Sequence, residues 1–374
     1  MGQRDVNQRE ESILAERLRE RIRRDGPITF HDWMRAALYD TDGGYYCRPD
    51  LPRWGRTGDY RTSPERSPLF AATFARYFAT LYDDLCAPDV LTIIEAGAGA
   101  GHFAAGVLET LRRWFPSVFA ATHYVIDEAS PDARAQIQLR LRPFIERIEF
   151  RRLSEIEDQL SEAVIFANEL FDAFPVHRVR MLDGKLCELY VGLDETGAFC
   201  WEEREPSTVC LVEYFECIGV QLREGQVGEI NLEARDWIAR AASILKSGYL
   251  ITIDYGEEAS DLYETLHRQQ GTLRAFHRHQ FCDDPLARPG EQDLTTNVDW
   301  THIKRSSEKA GLHLVSFERQ DAFLLRAGLL DQMELMTAQM HSEAEALALR
   351  SSAHELILPG GMSESFQVLV QKQQ

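Results

Sequence analysis

Positive charge is scarce in this chain: 41 Lys and Arg stand against 60 Asp and Glu in 374 residues, a net charge of −19. Nucleic acids are gripped by Lys and Arg facing phosphates, and an overall negative field repels them, so no nucleic-acid partner is expected. Long hydrophobic runs are also missing. No stretch approaches the ~20 apolar residues of a membrane span. The opening M-G-Q-R-D-V-N-Q-R-E-E-S has no apolar core for a signal peptide, and it mixes acids with arginines, unlike a transit peptide. Gly2 is followed by Val6 where a myristoylation signal has Ser or Thr. A cytoplasmic protein beginning near Met1 is expected. The seven cysteines are odd in number, scattered and free of any C-x-x-C pair, which speaks for reduced thiols against disulfides or zinc. Internal repeats and low-complexity tracts are absent. What remains, 44% hydrophobic and 27% charged, is the composition of a globular protein long enough for one large domain or two ordinary ones.

Residues 90–101 organise the rest. They read V-L-T-I-I-E-A-G-A-G-A-G: an apolar β-branched run, an acid, then Gly97, Gly99 and Gly101. The run at 90–94 predicts a strand buried on both faces, and the glycines a turn that lets a ligand approach the backbone. Phe103, Val107, Leu108, Leu111 and Trp114 then recur at helical spacing until Pro116. A dinucleotide fingerprint, G-x-G-x-x-G, puts its third glycine at position 102, which is His102. The pattern present, E-x-G-x-G-x-G, is similar to the first motif of class I methyltransferases that use S-adenosylmethionine (SAM).

Along the chain, residues 8–24 predict a charged helix with Ile13, Leu14, Leu18 and Ile22 on one side. Thr29 and Asp32 mark the start of a second helix. Residues 47–68 form a long irregular loop, a kind that is more often functional than idle, and a helix follows at 70–85. Further strands are predicted at 123–131, 148–150, 163–167, 248–256, 313–317 and 366–370, with a helix at 231–245. Between them, 178–230 reads as an inserted antiparallel excursion and 271–298 as a polar loop. The alternation gives an α/β, doubly wound, Rossmann-like sheet of seven strands. The division expected is an N-terminal helical and lid-loop region (1–89) and a main domain (90–374) carrying an insertion at about 178–230. Four polar motifs follow predicted strands, E-A-G-A-G-A-G, D-E-A-S-P, N-E-L-F-D and D-Y-G, and ligands in such sheets sit at the carboxyl ends of strands.

With these motifs assembled, the chain resembles the MidA family. The likeness runs through G-G-Y-Y (43–46), G-D-Y-R-T-S-P-E-R (58–66), E-A-G-A-G-A-G (95–101), E-A-S-P (128–131) and A-N-E-L-F-D-A-F-P-V-H (167–177). It continues in E-I-N-L-E-A-R-D-W (229–237), I-D-Y-G (253–256), G-T-L-R-A-F-H-R-H (271–279), P-G-E-Q-D-L-T (289–295) and L-P-G-G-M-S-E-S-F (358–366). Where the family commonly has Phe-Gly-Glu after T-S-P-E, this chain has Leu69-Phe70-Ala71-Ala72. The resemblance implies a class I SAM-dependent methyltransferase fold with a late antiparallel strand. It also implies methylation of arginine in a protein partner and, from mitochondrial members, assistance to respiratory complex I assembly. Two alternatives stay open: an idle SAM-binding assembly factor, and a methyltransferase for a small molecule.

For SAM binding, Gly97, Gly99 and Gly101 would face the amino-acid tail, with Glu95 orienting the turn or accepting from the amino group. Glu128 would hold the ribose hydroxyls, since a carboxylate accepts two hydrogen bonds at once. Asn168 and Glu169 would stand near the methyl donor or the acceptor, and Thr62, Ser63 and Pro64 would fold over the pocket. The plainer readings are a solvated strand end or helix cap for Glu95 and Glu128, and a simple turn for 62–64. An arginine acceptor keeps its proton and spreads its charge, so carboxylates are needed to grip it. Glu169 and Asp172 would share a face if the chain turned helical after the strand and could take the guanidinium as a fork, although Asp172 could instead cap that helix. Asp254, Tyr255, Gln292 and Asp293 are weaker candidates for the pocket wall. His177 could serve as a base or as a hydrogen-bonded structural residue. His277 and His279 flank Arg278 with no third ligand, and no metal is assigned.

Overall fold

Near-continuous apolar runs make the central sheet, and the computed structural model shows both faces of it covered. It describes residues 12–48, 51, 63–278, 280–357 and 365–373. The described residues fall into two compact units. One gathers those of Met1–Arg53, Pro175–Ile230 and Leu266–Thr296, and the other those of Trp54–Phe174, Asn231–Thr265 and Asn297–Gln374. This is a different cut from one at residue 89. The first two helices fall with the inserted strands, whereas the helix before residue 89 falls with the central sheet.

The central sheet comprises β1 (Leu91–Ala96), β2 (Thr122–Asp127), β3 (Ile148–Phe150), β4 (Ala163–Asn168), β5 (Gly248–Glu257), β6 (His313–Arg319) and β7 (Phe366–Gln373). Their order is β6-β7-β5-β4-β1-β2-β3. Strands β1 to β5 run parallel, while β7 runs antiparallel to both β5 and β6. Every residue of β1 is buried. Ile93 belongs to the apolar cluster on one face and Ile94 to that on the other. A strand with two covered faces needs apolar side chains at every position, which is why its sequence shows no alternation.

The helices α1 (Pro68–Asp84) and α2 (His102–Trp114) cover one face. Pro68 suits the first turn of α1, where an amide would be orphaned, and Ser67 accepts the Leu69 amide there. The two helices approach closely: a Cβ placed on Gly106 would stand 2.5 Å from the Cβ of Ala71. Phe103 of α2 stacks on Phe166 of β4 with ring centroids 4.1 Å apart, and Phe74 closes on both rings. Burying each such ring is worth about 1.5–3 kcal/mol, and these rings fix the start of α2 against β4. Between β1 and its neighbours β4 and β2 the strand order reverses, which opens a crevice at the carboxyl edge of the sheet.

The other unit carries antiparallel strands. Lys185–Leu193 pairs with Ile28–Thr29, His177–Leu182 and Phe199–Arg204, and Val227–Ile230 pairs with His177–Leu182. Thr29 caps the helix Phe30–Tyr39 through the Asp32 amide. Three expectations need correction. Residues 271–298 hold a three-stranded sheet, Gln280–Cys282, Arg274–His277 and Asp293–Thr295, because their short pairings are spaced by polar turns. The excursion at 178–230 also contains a helix, Cys210–Ile218. Ile13 is exposed at the first turn of its helix, and only Leu14, Leu18 and Ile22 of the predicted face are buried. Among the described residues no helix is long and apolar enough to cross a membrane.

Candidate functional site

At the end of β1 the chain turns through Gly97, Gly99 and Gly101, whose φ angles are +71°, +53° and +76°. Left-handed φ costs a residue with a Cβ roughly 1–2 kcal/mol, so three such positions within five residues favour glycine at each. The amide of Gly97 donates to the carbonyl of Asp127 at the end of β2 (2.9 Å). Glu128, one residue on, accepts the Gly99 amide through Oε2 (3.0 Å) and the Ser130 amide through Oε1 (2.8 Å). The acid after the second strand therefore faces the glycine turn. Burial raises the Glu128 carboxyl above its usual range, against the pull of these amides.

Glu95 sits beneath the turn, 4% exposed, and accepts the hydroxyl of Tyr124 at 2.7 Å. Burial pushes its carboxyl up to about 8, with the Tyr124 bond opposing and the charge of Glu128 adding. His102, at the position that excludes a dinucleotide fingerprint, opens α2. Burial and then Arg140 hold its imidazole down to about 4.

The second half of the site follows β4. Here the chain does not turn helical: residues 169–174 make bends and a turn, with the Phe174 amide on the Phe171 carbonyl (3.2 Å). Helical sharing of a face therefore does not relate Glu169 to Asp172, and Asp172 caps no helix. The turn itself brings the two acids together. Glu169 has φ +51°, a left-handed value that costs a residue with a Cβ roughly 1–2 kcal/mol. Its amide donates to the carbonyl of Ile253 on β5 (2.8 Å). Burial, then the charge of Asp172, pushes the Glu169 carboxyl up to about 8, while the side chain of Asn168, the charge of Arg66 and the amide of Ser63 pull it down. Asn168 donates its Nδ2 to Glu169 Oε1 (3.0 Å), and its buried Oδ1 has no hydrogen-bond partner among the described residues.

The two halves touch. A Cβ on Gly97 would lie 3.0 Å from Leu170 Cδ1, so the glycine turn and the turn after β4 form adjoining walls. Ser63 reaches this place through its backbone, and its hydroxyl accepts from Gln320 (3.4 Å). Pro64 is half-buried beside it, and Thr62 lies outside the described residues. Gln292 and Asp293 belong to the other unit, where Gln292 donates to the carbonyl of Pro285 (2.5 Å) and Asp293 accepts the Tyr46 hydroxyl (2.7 Å). His177, also in that unit, bonds the fully buried Glu188 at 2.7 Å and stacks on His31. His277 Nδ1 pairs with the Glu291 carbonyl (2.7 Å), and His279 lies outside the described residues.

Sequence reasoning missed Asn231, whose Oδ1 caps the helix Leu232–Ile244 while its Nδ2 donates to the Phe171 carbonyl (2.8 Å). An Asn ahead of an apolar-periodic helix signals the cap, but nothing in the sequence signals the second bond.

The residues fit SAM. Each Glu128 oxygen that takes one amide keeps a second lone pair for a ribose hydroxyl, and the glycine turn offers side-chain-free backbone next to it. The comparisons agree. Residues 73–318 match a family described as "Putative S-adenosyl-L-methionine-dependent methyltransferase". A crystal structure of a methyl transferase-type protein from Burkholderia thailandensis, bound to S-adenosyl-homocysteine, is 30% identical. It superposes with a TM-score of 0.84 over 96% of this chain and 92% of that one. The Drosophila melanogaster protein named "Protein arginine methyltransferase NDUFAF7 homolog, mitochondrial" is 27% identical over 95% of this chain and 84% of its own. The Mus musculus protein of the corresponding name is 24% identical over 94% and 83%. With two thirds of its length inside the family match and a bacterial relative of the same fold holding the demethylated cofactor, the chain belongs to this family of enzymes, the S-adenosyl-L-methionine-dependent methyltransferases.

Proposed function

We propose that the methyl acceptor is an arginine side chain of a protein partner. The observation that carries this reading is the pair Glu169 and Asp172, a half-buried and a buried acid whose charges act on each other on a turn that adjoins the glycine loop. Bound SAM supplies an electrophilic methyl group. Gly97, Gly99 and Gly101 line its amino-acid tail, Glu95 holds the turn from below through Tyr124, and Glu128 takes the ribose hydroxyls. Asn168, Ser63 and Pro64 border the pocket.

A guanidinium keeps its proton at any physiological pH and delocalises its lone pairs. Glu169 and Asp172 grip it as a fork, which draws the positive charge toward them and leaves lone-pair density on the nitrogen aimed at the methyl group. Ionised Glu169 then takes the proton that the methylated nitrogen releases. In-line displacement needs little else beyond positioning and the exclusion of water. The arginine methyltransferase names of the animal relatives support this acceptor. By family resemblance the partner is a respiratory complex I subunit or its bacterial counterpart.

The test is incubation with isotopically labelled SAM and a lysate, followed by mass spectrometry of the labelled species. Label on arginine that vanishes with Glu169→Gln supports the proposal. Label confined to a small molecule or to another side chain overturns it.

A further inference from the structure

Asp254 stands at the end of β5, 1% exposed, directly beside the two acids of the acceptor pocket. A buried acid in that place invites the reading that it is a third ligand for the substrate. Its hydrogen bonds argue otherwise. Oδ2 accepts the amides of both Phe171 (2.9 Å) and Asp172 (3.2 Å), and Oδ1 accepts the amide of Tyr255 (2.9 Å). Both oxygens are committed to backbone, and Oδ2 carries two donors, its full complement of lone pairs.

The partners of those bonds matter more than their number. Phe171 and Asp172 lie in the turn that bears both Glu169 and Asp172. The same turn is held at two more points, by the Glu169 amide on the Ile253 carbonyl (2.8 Å) and by Asn231 Nδ2 on the Phe171 carbonyl (2.8 Å). The turn has no helix or sheet ladder of its own from 169 to 174. Its shape is therefore imposed from outside, and Glu169 occupies a strained left-handed conformation that persists only where surrounding contacts over-determine it. Asp254 makes two of those contacts through a single oxygen, Oδ2.

We infer that Asp254 is a positioning residue of the acceptor pocket, which anchors the turn 169–172 so that the carboxylates of Glu169 and Asp172 converge on one substrate nitrogen. The inference rests on the acceptor reading above for its catalytic consequence, but the anchoring itself can be read without any acceptor. Burial and the charges of Asp172 and Glu169 push the Asp254 carboxyl well above the usual range, while its amide donors pull it down.

Asp254→Asn keeps the shape but leaves one oxygen, and its NH2 group meets an amide donor. In this variant the amides of Phe171 and Asp172 should exchange with deuterium ~10-fold or more faster than in the wild type as their shared acceptor is disturbed. The SAM dissociation constant should stay within ~2-fold, since no cofactor contact changes, while kcat for the labelled acceptor falls ~100-fold, the scale of a misplacement near 1 Å. A general structural role would instead lower SAM affinity and kcat together, and that result overturns the inference, as does unchanged amide exchange. Should Asp254→Asn not fold, the wild-type protein decides. Strong protection of the Phe171 and Asp172 amides supports the anchor, and exchange at the rate of an open loop overturns it. If no arginine is labelled by the wild type but exchange still responds to Asp254→Asn, the acceptor reading fails and the anchor stands.

Discussion

The carboxylate of Glu128 reaches 29 residues back along the chain to accept the amide of Gly99 at 3.0 Å. One side chain thereby shapes the turn after β1 and faces the space where a ribose would lie. Hydrogen bonds to a charged group are worth about 1.5–3 kcal/mol, so Glu128→Ala should weaken SAM binding by roughly 10–100-fold. Titration calorimetry on the folded variant measures this, and wild-type affinity would remove Glu128 from the cofactor site.

Gly99 itself has φ +53°. Valine there suffers left-handed strain as well as occupying the approach to the cofactor. Gly99→Val should keep its circular dichroism and lose SAM binding. Gly99→Ala should lower Tm by roughly 2–4 °C, the equivalent of about 1 kcal/mol in a domain of this kind. Undiminished SAM affinity in folded Gly99→Val would show that the cofactor lies elsewhere.

On the proposed arginine acceptor, the ascending limb of activity with pH should belong to Glu169. Its carboxyl is pushed up to about 8, chiefly by burial and next by Asp172, while the arginine acceptor stays protonated throughout. Since the ionised form is the one that grips and takes the proton, kcat/KM should rise about tenfold per pH unit from 6 toward 8 and then level. A profile flat from pH 6 to 9 would exclude Glu169 as the group that must ionise.

Glu95 gives a stability signature of the opposite direction. Its folded pKa of about 8 lies above the unfolded value near 4.5. Below pH 4.5 both states are protonated and the stability is fully present. As pH rises toward 8 the unfolded chain releases its proton first, and stability is lost. Glu95→Gln keeps an acceptor for the Tyr124 hydroxyl and carries no proton to lose. Its advantage over the wild type in urea unfolding should grow across pH 5 to 8, by on the order of a few kcal/mol. A difference independent of pH would mean that Glu95 is ionised in the folded protein.

The parallel core was legible because strands buried on both faces must be apolar throughout, and 91–96, 163–168 and 248–253 stand out from their surroundings. The glycine turn was legible because three left-handed positions so close together favour glycine at each. The sheet at 274–295 was not, since its strands are three or four residues long, too short for alternation to register. The turn after β4 misled for a different reason. Glu169 and Asp172 have helical spacing, yet their geometry is set by Asp254, which is more than 80 residues away in sequence. Side-chain bonds to distant backbone leave no periodic trace, so the D-Y-G motif marked Asp254 without showing what it holds.

Strand β7 lies between β5 and β6, although more than 100 residues separate β5 from β7 in the chain. A ribosome emits β5 and β6 long before the strand that joins them, and until then each shows an unpaired edge. Such long-range closure is slow, and it leaves aggregation-prone strand edges open through roughly the last third of synthesis. A ribosome stalled before Phe366 would release a chain with every cofactor-facing residue in place and a sheet split in two.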